Sequence, residues 1–542
     1  MSQTVLLDKT VAVQPLYKSY SEIEQLSTFD KWYAHSKAEL QDFYKYEVHI
    51  EAFEQVIRDK QKDITDRATL VEVLKEQYAA VSTSDQTLQN INALLDKNTF
   101  TVITAHQPSL FTGPLYFIFK TISAINLAEQ LQATYPTYNF VPVFWLGSED
   151  HDFDEISYAN IFGKKLVWTN EEQGATGMMS TDSLAPVLAA LKSILGNSDK
   201  AAHIFSIIEQ CFTKHQTYAE ATFAFVNELF KQYGLVILLT NHPKLKKVFA
   251  PYLKKELVEQ PSEKLVQQAI EAKEAIGLKG QATPRAINLF YMKEGLRERI
   301  VEEDGMYQVL NTDLKFSKVE ILAEVDSHPD RFSPNVILRP IFQEVLLPNL
   351  AYIGGGGELA YWMERIEQFD YFGVNFPMLI RRNSAVWVDK GGLKKLKKLG
   401  LTFDQLFENT EILIKDFVKD NTTEKLSLGQ EKKALSELFK QVLAKGTAID
   451  PTLKKTILGE QTRQMKALNN LEAKLLRAEK SKYDIAINQI RNLKDKYFPN
   501  NGLQERHDNF LAFYLKYGDG FIATLKAHFE PLNRDFLILK EE

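Results

Sequence analysis

At 542 residues the chain is longer than one hydrophobic core usually fills, so two or more domains are expected. With 44% apolar and 25% charged residues the composition is that of a packed soluble protein and excludes a disordered chain. The net charge of -6 supplies no field to gather nucleic acid, so nucleic acid is not an expected partner.

A single cysteine, Cys211, excludes an intrachain disulfide and a cysteine-based zinc site, and points to a reducing compartment. It lies at helical spacing from apolar neighbours, which favours a small buried hydrophobe over a nucleophile. The first residues have no basic region followed by an apolar one, and no apolar run approaches the length of a membrane span. A cytoplasmic protein is expected.

Taken in order, residues 20–78 mix periodic apolar positions with long polar ones and predict a preface of amphipathic helices. Residues 99–105, Thr-Phe-Thr-Val-Ile-Thr-Ala, predict a buried strand. The Pro- and Gly-punctuated loop 106–113 follows, and a helix is expected from Pro114. Residues 141–146, Val-Pro-Val-Phe-Trp-Leu, predict a second strand buried on both faces.

Immediately after that strand the chain turns polar, with Glu149, Asp150, His151 and Asp152 in succession. Ligand crevices of open α/β sheets lie beyond the carboxyl ends of the strands, so these four residues are candidates for holding a polar substrate. The competing reading is an acidic cap on the next helix. A calcium loop is rejected, because Glu155 stands at the required glycine and Ile161 at the bidentate glutamate.

Residues 158–167 suit a hairpin, or a strand and helix turn, and 234–240 give a third strand. Residues 246–278 read as helix interrupted at Pro261, and 286–310 as a β-rich insert. The last two strands are expected at 335–339 and 376–381. Between them lies a patch dense in glycine and polar residues, with four consecutive glycines, Gly354, Gly355, Gly356 and Gly357. Such a run predicts positive φ or close approach of a ligand, and free N–H groups ahead of a helix suit an anion, with Arg339 or Arg382 as charge partner. A tight turn packed on a neighbouring element is the other reading. Neither a dinucleotide fingerprint nor a P-loop is present.

From Lys390 the composition shifts to Lys, Leu, Glu and Gln. Residues 453–497 read as one long helix with an apolar seam at Leu468, Leu471, Leu475, Ala478 and Ile485, which predicts a coiled coil that pairs two copies of the chain. The expected organisation is a core over 1–389, a coiled-coil domain over 390–502 and a segment over 503–542 that returns to the core.

Three blocks carry a family resemblance: Thr-Ala-His-Gln-Pro-Ser-Leu-Phe-Thr-Gly-Pro-Leu-Tyr at 104–116, Pro-Val-Phe-Trp-Leu-Gly-Ser-Glu-Asp-His-Asp-Phe-Asp-Glu-Ile at 142–156, and the stretch 338–362 ending in Gly-Glu-Leu-Ala-Tyr-Trp. Together with 285–291 and 382–384 they resemble the BshC family of bacillithiol-biosynthesis cysteine-adding enzymes. The chain departs at Ala105, where the family pattern has glycine. The resemblance implies an α/β fold: a Rossmann-type parallel-sheet core akin to nucleotidyltransferases and class I synthetases, with helical inserts and a dimerising C-terminal α-helical coiled coil. It also implies a ligase for the last step of bacillithiol synthesis, joining cysteine to the amine of glucosaminyl malate.

Candidate binding residues on these blocks are Gln107, Glu149, Arg339, Asn349, Gly354, Gly355, Gly356, Gly357, Glu358, Tyr361, Trp362, Arg382, Asn383 and Ser384. For the chemical step, His151 oriented by Asp150 or Asp152, or else His106, is the candidate base. No protein-held metal is expected. The cofactor is left open between ATP and another nucleotide, with Mg²⁺ entering only alongside a nucleotide. Two other readings stand beside the enzyme: a non-catalytic coiled-coil scaffold that binds a nucleotide or sugar, and a tRNA-related synthetase paralogue.

Overall fold

The computed structural model describes residues 10–422 and 427–542. These divide into two compact units, one made of residues up to Trp387 together with Gln504–Glu542, the other of Val388–Leu503.

The first unit is built on a five-stranded parallel sheet. Its strands are β1 (Thr99–His106), β2 (Asn139–Leu146), β3 (Val236–Leu239), β4 (Asn349–Gly354) and β5 (Met378–Arg381), in the spatial order β5-β4-β1-β2-β3. Residues of β1, β2 and β4 are almost all buried, as strands covered on both faces require. Helix α1 (Tyr116–Thr134) makes the crossover from β1 to β2. From β1 the chain builds outward through β2 to β3, then returns to lay β4 against the other side of β1. The direction of strand order therefore reverses between β1 and β4, and that is where an open α/β sheet leaves its crevice.

Two strand expectations change. Residues 335–338 form a turn, because the Asn335 carboxamide oxygen accepts the Ile337 and Leu338 N–H groups at 2.8 and 3.3 Å and Pro340 sits in the first turn of helix α2 (Arg339–Leu346). An interior strand is instead β4, six residues of which all but Asn349 are apolar or small, lying between Pro348 and the glycine run. Helix α1 begins two residues after Pro114.

A second, antiparallel sheet of five short strands fills the β-rich insert, and its strand Leu296–Glu303 carries Arg297 toward the end of β2. The segment after the second unit returns as Asp535–Glu541, paired antiparallel with Val13–Ser19. Cys211 is buried on a helix, and burial pushes its thiol up to about 12, so it is an inert core residue.

In the second unit, helices α3 (Gly429–Ile449) and α4 (Leu453–Lys482) form an antiparallel hairpin. The single helix expected through residue 497 breaks at Tyr483, and α5 (Asp484–Tyr497) follows with its own buried face, Ile487, Ile490, Leu493 and Tyr497. Among the described residues no helix is long and apolar enough to cross a membrane.

At the amino end of β4, Asn349 Nδ2 donates to Glu344 Oε1 at 2.7 Å. Glu344 Oε2 and Asn349 Oδ1 are buried acceptors with no hydrogen-bond donor among the described residues. Burial pushes the Glu344 carboxyl from 4.5 up to about 7, against the pull of Lys60, whose Nζ is 3.7 Å away. The proton so held supplies a donor where two acceptors lack one. Because the folded state binds it more tightly than the unfolded chain, Glu344 favours folding fully below pH 4.5 and loses that contribution as pH rises to about 7. Glu344→Gln carries its donor at every pH. Thermal melts of the variant should therefore fall less than wild type across this window, by on the order of 2 °C, and parallel curves would place the titration elsewhere.

Candidate active site

A cavity of about 590 Å³ opens at the carboxyl ends of β1, β2 and β4. Its frame is the buried ammonium of Lys120 on α1. Lys120 Nζ donates to the Ala105 carbonyl at 2.7 Å and to both Glu358 oxygens at 2.9 and 2.8 Å. Glu358 also accepts from the Tyr352 hydroxyl and the Gly355 N–H, both at 2.8 Å. Burial pushes this carboxyl up, but Lys120 and the Gly355 N–H outweigh it and hold it near 2. Glu358 is thus saturated by the protein and ties the glycine turn to the end of β1.

The glycine run takes no positive φ, which removes the first of the two alternatives expected for it. Its tightness comes from neighbours. A Cβ on Gly356 would stand 2.0 Å from Asp30 Oδ1, and one on Gly354 2.9 Å from the Tyr352 ring, whereas one on Gly357 would meet nothing within 4 Å. Asp30 arrives from the N-terminal preface and is itself paired with Arg381 at 2.7 Å. Backbone strain lies instead on the loop after β1, where Phe111, Thr112 and Gly113 all have positive φ. Asn509 Nδ2 holds that loop by donating to the Phe111 and Gly113 carbonyls at 2.8 and 2.7 Å.

His106 lines the cavity, and its Nδ1 lies 3.0 Å from the Gln107 carbonyl. A carbonyl only accepts, so Nδ1 carries the proton and the Nε2 lone pair is open. Burial, reinforced by Lys120, pulls the ring down to about 4, so it is neutral at physiological pH. Gln107 Nε2 donates to Asp150 Oδ2 at 2.7 Å, so Gln107 meets His106 with its main-chain carbonyl and Asp150 with its side chain.

His151 is placed differently. Arg297 Nη1 donates to its Nδ1, so the neutral ring carries its proton on Nε2 and has no open lone pair. The ring is half exposed and is not part of the cavity wall. Desolvation and Arg297 lower its pKa. Asp150 lines the cavity; burial raises its carboxyl, but Arg297, 3.8 Å away, and Gln107 hold it below the ordinary range. Asp152 turns outward and caps the four-residue helix Phe153–Ile156 by accepting the Glu155 N–H at 3.2 Å, so the capping reading is the correct one for this residue.

Glu149 is buried at the cavity wall, with Lys246 Nζ at 2.6 Å and the Thr240 hydroxyl at 3.2 Å. Arg339 and Tyr361 line the cavity together, bonded at 2.8 Å, and no described carboxylate lies within ion-pair distance of Arg339. Arg382, also on the wall, is held by Glu505 at 2.7 Å. Gly355, Gly356, Gly357 and Glu358 join them; Gly354 is the last residue of β4.

Besides His151, Asp152 and Gly354, four expected residues lie away from the cavity wall. Asn349 is at the opposite end of β4 beside Glu344, and Trp362 is buried against the Tyr352 ring at 4.5 Å. Asn383 donates to the Glu530 carbonyl at 2.8 Å, and Ser384 is bonded to Glu505 at 2.9 Å. Sequence reasoning missed Lys120, Arg297, Lys246, Tyr352 and Arg506. Lys120 had a signal, a lone lysine in the apolar helix 116–128, and Arg506 lies in the polar run Glu-Arg-His-Asp-Asn; the short polar strand of Arg297 had none.

The two inner glycines separate packing from binding. Gly356→Ala should destabilise the fold by about 1–3 kcal/mol through its clash with Asp30. Gly357→Ala should melt as wild type does, so any loss of ligand affinity it shows in calorimetry reports the cavity alone; equal destabilisation by both would contradict this geometry.

Comparison with known proteins gives a consistent answer. Residues 17–383 match the family model "Bacillithiol biosynthesis BshC, N-terminal Rossmann-like domain", and residues 385–541 match "Bacillithiol biosynthesis BshC, C-terminal coiled-coil domain". Similar relatives, each named "Putative cysteine ligase BshC", include one from Flavobacterium johnsoniae, 41% identical over 96% of this chain and 98% of its own. Another from Christiangramia forsetii is 41% identical with the same coverage, and one from Cytophaga hutchinsonii is 36% identical over 89% of this chain and 91% of its own. Matches of this extent along both parts of the sequence establish that the chain belongs to the bacillithiol biosynthesis BshC family.

Proposed function

We propose that this chain is a ligase that performs the last step of bacillithiol synthesis, joining the carboxyl carbon of cysteine to the amine of glucosaminyl malate. The observation that carries the reading is the division of charge around the cavity. Glu149, Asp150 and Glu155 follow β2, with Arg297 beside Asp150, while Arg339, Arg382 and Arg506 gather around the end of β4, where the Glu358 carboxylate is taken up by Lys120; β1 lies between the two groups. A substrate with an ammonium at one end and a malate dicarboxylate at the other fits that division. Arg339, with its planar donors and no carboxylate partner among the described residues, suits a carboxylate or a phosphate.

An ammonium cannot attack a carbonyl until it loses a proton. One ammonium proton goes to solvent, and His106 Nε2, on a ring whose tautomer the Gln107 main-chain carbonyl fixes, has the open lone pair for the second proton, which the nitrogen sheds as the C–N bond forms. The carboxyl oxygen departs with its activating group. ATP or another nucleotide would make that oxygen a leaving group, and the three arginines are the residues suited to its phosphates.

Hairpin residues Leu438, Val442, Leu458, Leu471 and Leu475 remain exposed in a single chain. We propose that a second copy covers them, because an apolar seam of this kind left in water opposes the monomer.

A strain deleted for this protein should lack bacillithiol and accumulate glucosaminyl malate; unchanged thiols would overturn the assignment. In the purified enzyme, His106→Ala should lower turnover by about 10²-fold or more and His151→Ala by less than tenfold. Because His106 is already neutral above about pH 4, its protonation should depress kcat only toward that pH; a limb near 6.5 in kcat would assign the base elsewhere. Leu471→Glu with Leu475→Glu should yield monomers by light scattering, and a persistent dimer would remove the hairpin as the interface.

A further inference from the structure

One part of the cavity wall takes no part in the charge division. Trp145, the penultimate residue of β2, and Phe342 of α2 meet edge to face with ring centroids 5.3 Å apart, and both line the cavity with Pro334 and Val336 beside them. The two rings are almost fully buried, so they are core side chains that offer the cavity little more than an edge and not a surface patch. Lys246 Nζ lies 5.1 Å from the Phe342 ring centroid and 2.6 Å from Glu149 Oε2. A single carboxylate is thereby fixed at the rim of an aromatic corner. Among the described residues Glu149 Oε1 accepts only the Thr240 hydroxyl, at 3.2 Å, which leaves it capacity for another donor.

We propose that this corner is the subsite of the amino-acid substrate. The cysteine ammonium lies on Glu149, and the thiol enters the corner between Trp145 and Phe342. The inference rests on the reading of the cavity as a ligase site and adds to it the place and the selectivity of the second substrate. The chemistry matches at both ends. A thiol is a small, polarisable and weakly hydrated group that packs well at aromatic edges, whereas a hydroxyl carried into the same corner gives up its water. The corner therefore selects by what it withholds: serine, which differs from cysteine by one atom, meets rings where its hydroxyl requires a partner. L-2-Aminobutyrate, which replaces the thiol by a methyl group, satisfies the corner nearly as well. Apolar pockets of this kind separate such pairs by factors of about 10 to 10².

The arrangement also keeps the two ammonium groups of the reaction apart. Glu149 sits inside, bonded to Lys246 and Thr240. Asp150 faces the His106 loop through Gln107, where the amine to be deprotonated must lie. Successive residues of one loop thus serve different substrates, since their side chains leave the backbone in different directions.

Calorimetric titration of the full-length protein with L-cysteine kept reduced, L-2-aminobutyrate and L-serine tests the subsite without need of the activating cofactor. Cysteine and 2-aminobutyrate should bind within about tenfold of one another, and serine at least tenfold more weakly than cysteine. Phe342→Leu, which keeps an apolar side chain but removes the ring, should weaken cysteine about three- to tenfold and 2-aminobutyrate less. Serine binding as tightly as cysteine, or none of the three binding, overturns the subsite. The wild-type series decides this even if Phe342→Leu fails to fold. Malate titrated against wild type and Arg339→Gln separately reads the anion side of the cavity; failure there would undermine the ligase reading itself, while failure of the amino-acid series alone removes only the subsite.

Discussion

The ion pair between Lys120 and Glu358 is the interaction on which the site depends. Taking an ammonium out of water costs several kcal/mol, and here the cost is offset by three acceptors at 2.7 to 2.9 Å. Those acceptors belong to the end of β1 and to the glycine turn, which are separated by some 250 residues of chain but adjacent across the reversal of strand order. Removing either partner would leave a buried charge uncompensated, typically a loss of about 3–5 kcal/mol. The pair therefore fixes the distance between the His106 loop and the glycine turn more firmly than apolar packing would.

Around that pair the cavity is stocked from every part of the first unit. Asp30 of the preface supports Gly356 and Arg381, Glu505 and Asn509 of the returning segment hold Arg382 and the strained loop, and the antiparallel insert supplies Arg297. Arg297 has a consequence for chemistry. By donating to His151 Nδ1 it removes the lone pair that a base would need, while the Gln107 carbonyl leaves His106 Nε2 open. Two histidines of similar promise in the sequence are thus given different tautomers by one neighbour each.

Sequence and structure differ most at β4. Its residues Asn-Leu-Ala-Tyr-Ile-Gly lie between proline and glycine and read as loop, yet β4 is an interior strand, because β1 and β5 supply hydrogen bonds on both edges. The opposite error at 335–339 has a local cause, the Asn335 side chain capturing two N–H groups before a strand can form. Asn349 was read as a binding residue from its place in a conspicuous motif; motif membership marks a segment, and the strand then puts its two ends on opposite edges of the sheet.

The sequence by itself determined what depends on neighbours along the chain. The apolar runs of β1, β2 and β3, the polar lip after β2, the glycine turn and the core character of Cys211 could all be read from composition and spacing, while the family resemblance was carried by three motif blocks. Only the tertiary structure decided that β4 lies against β1, that Lys120 joins Glu358, that Arg297 reaches His151, and that Asp152 faces away while Asp150 faces in. These are contacts between residues far apart in sequence. Their partners are chosen by burial and by the pairing of charge in a low-dielectric interior, and the local pattern of residues does not encode that choice.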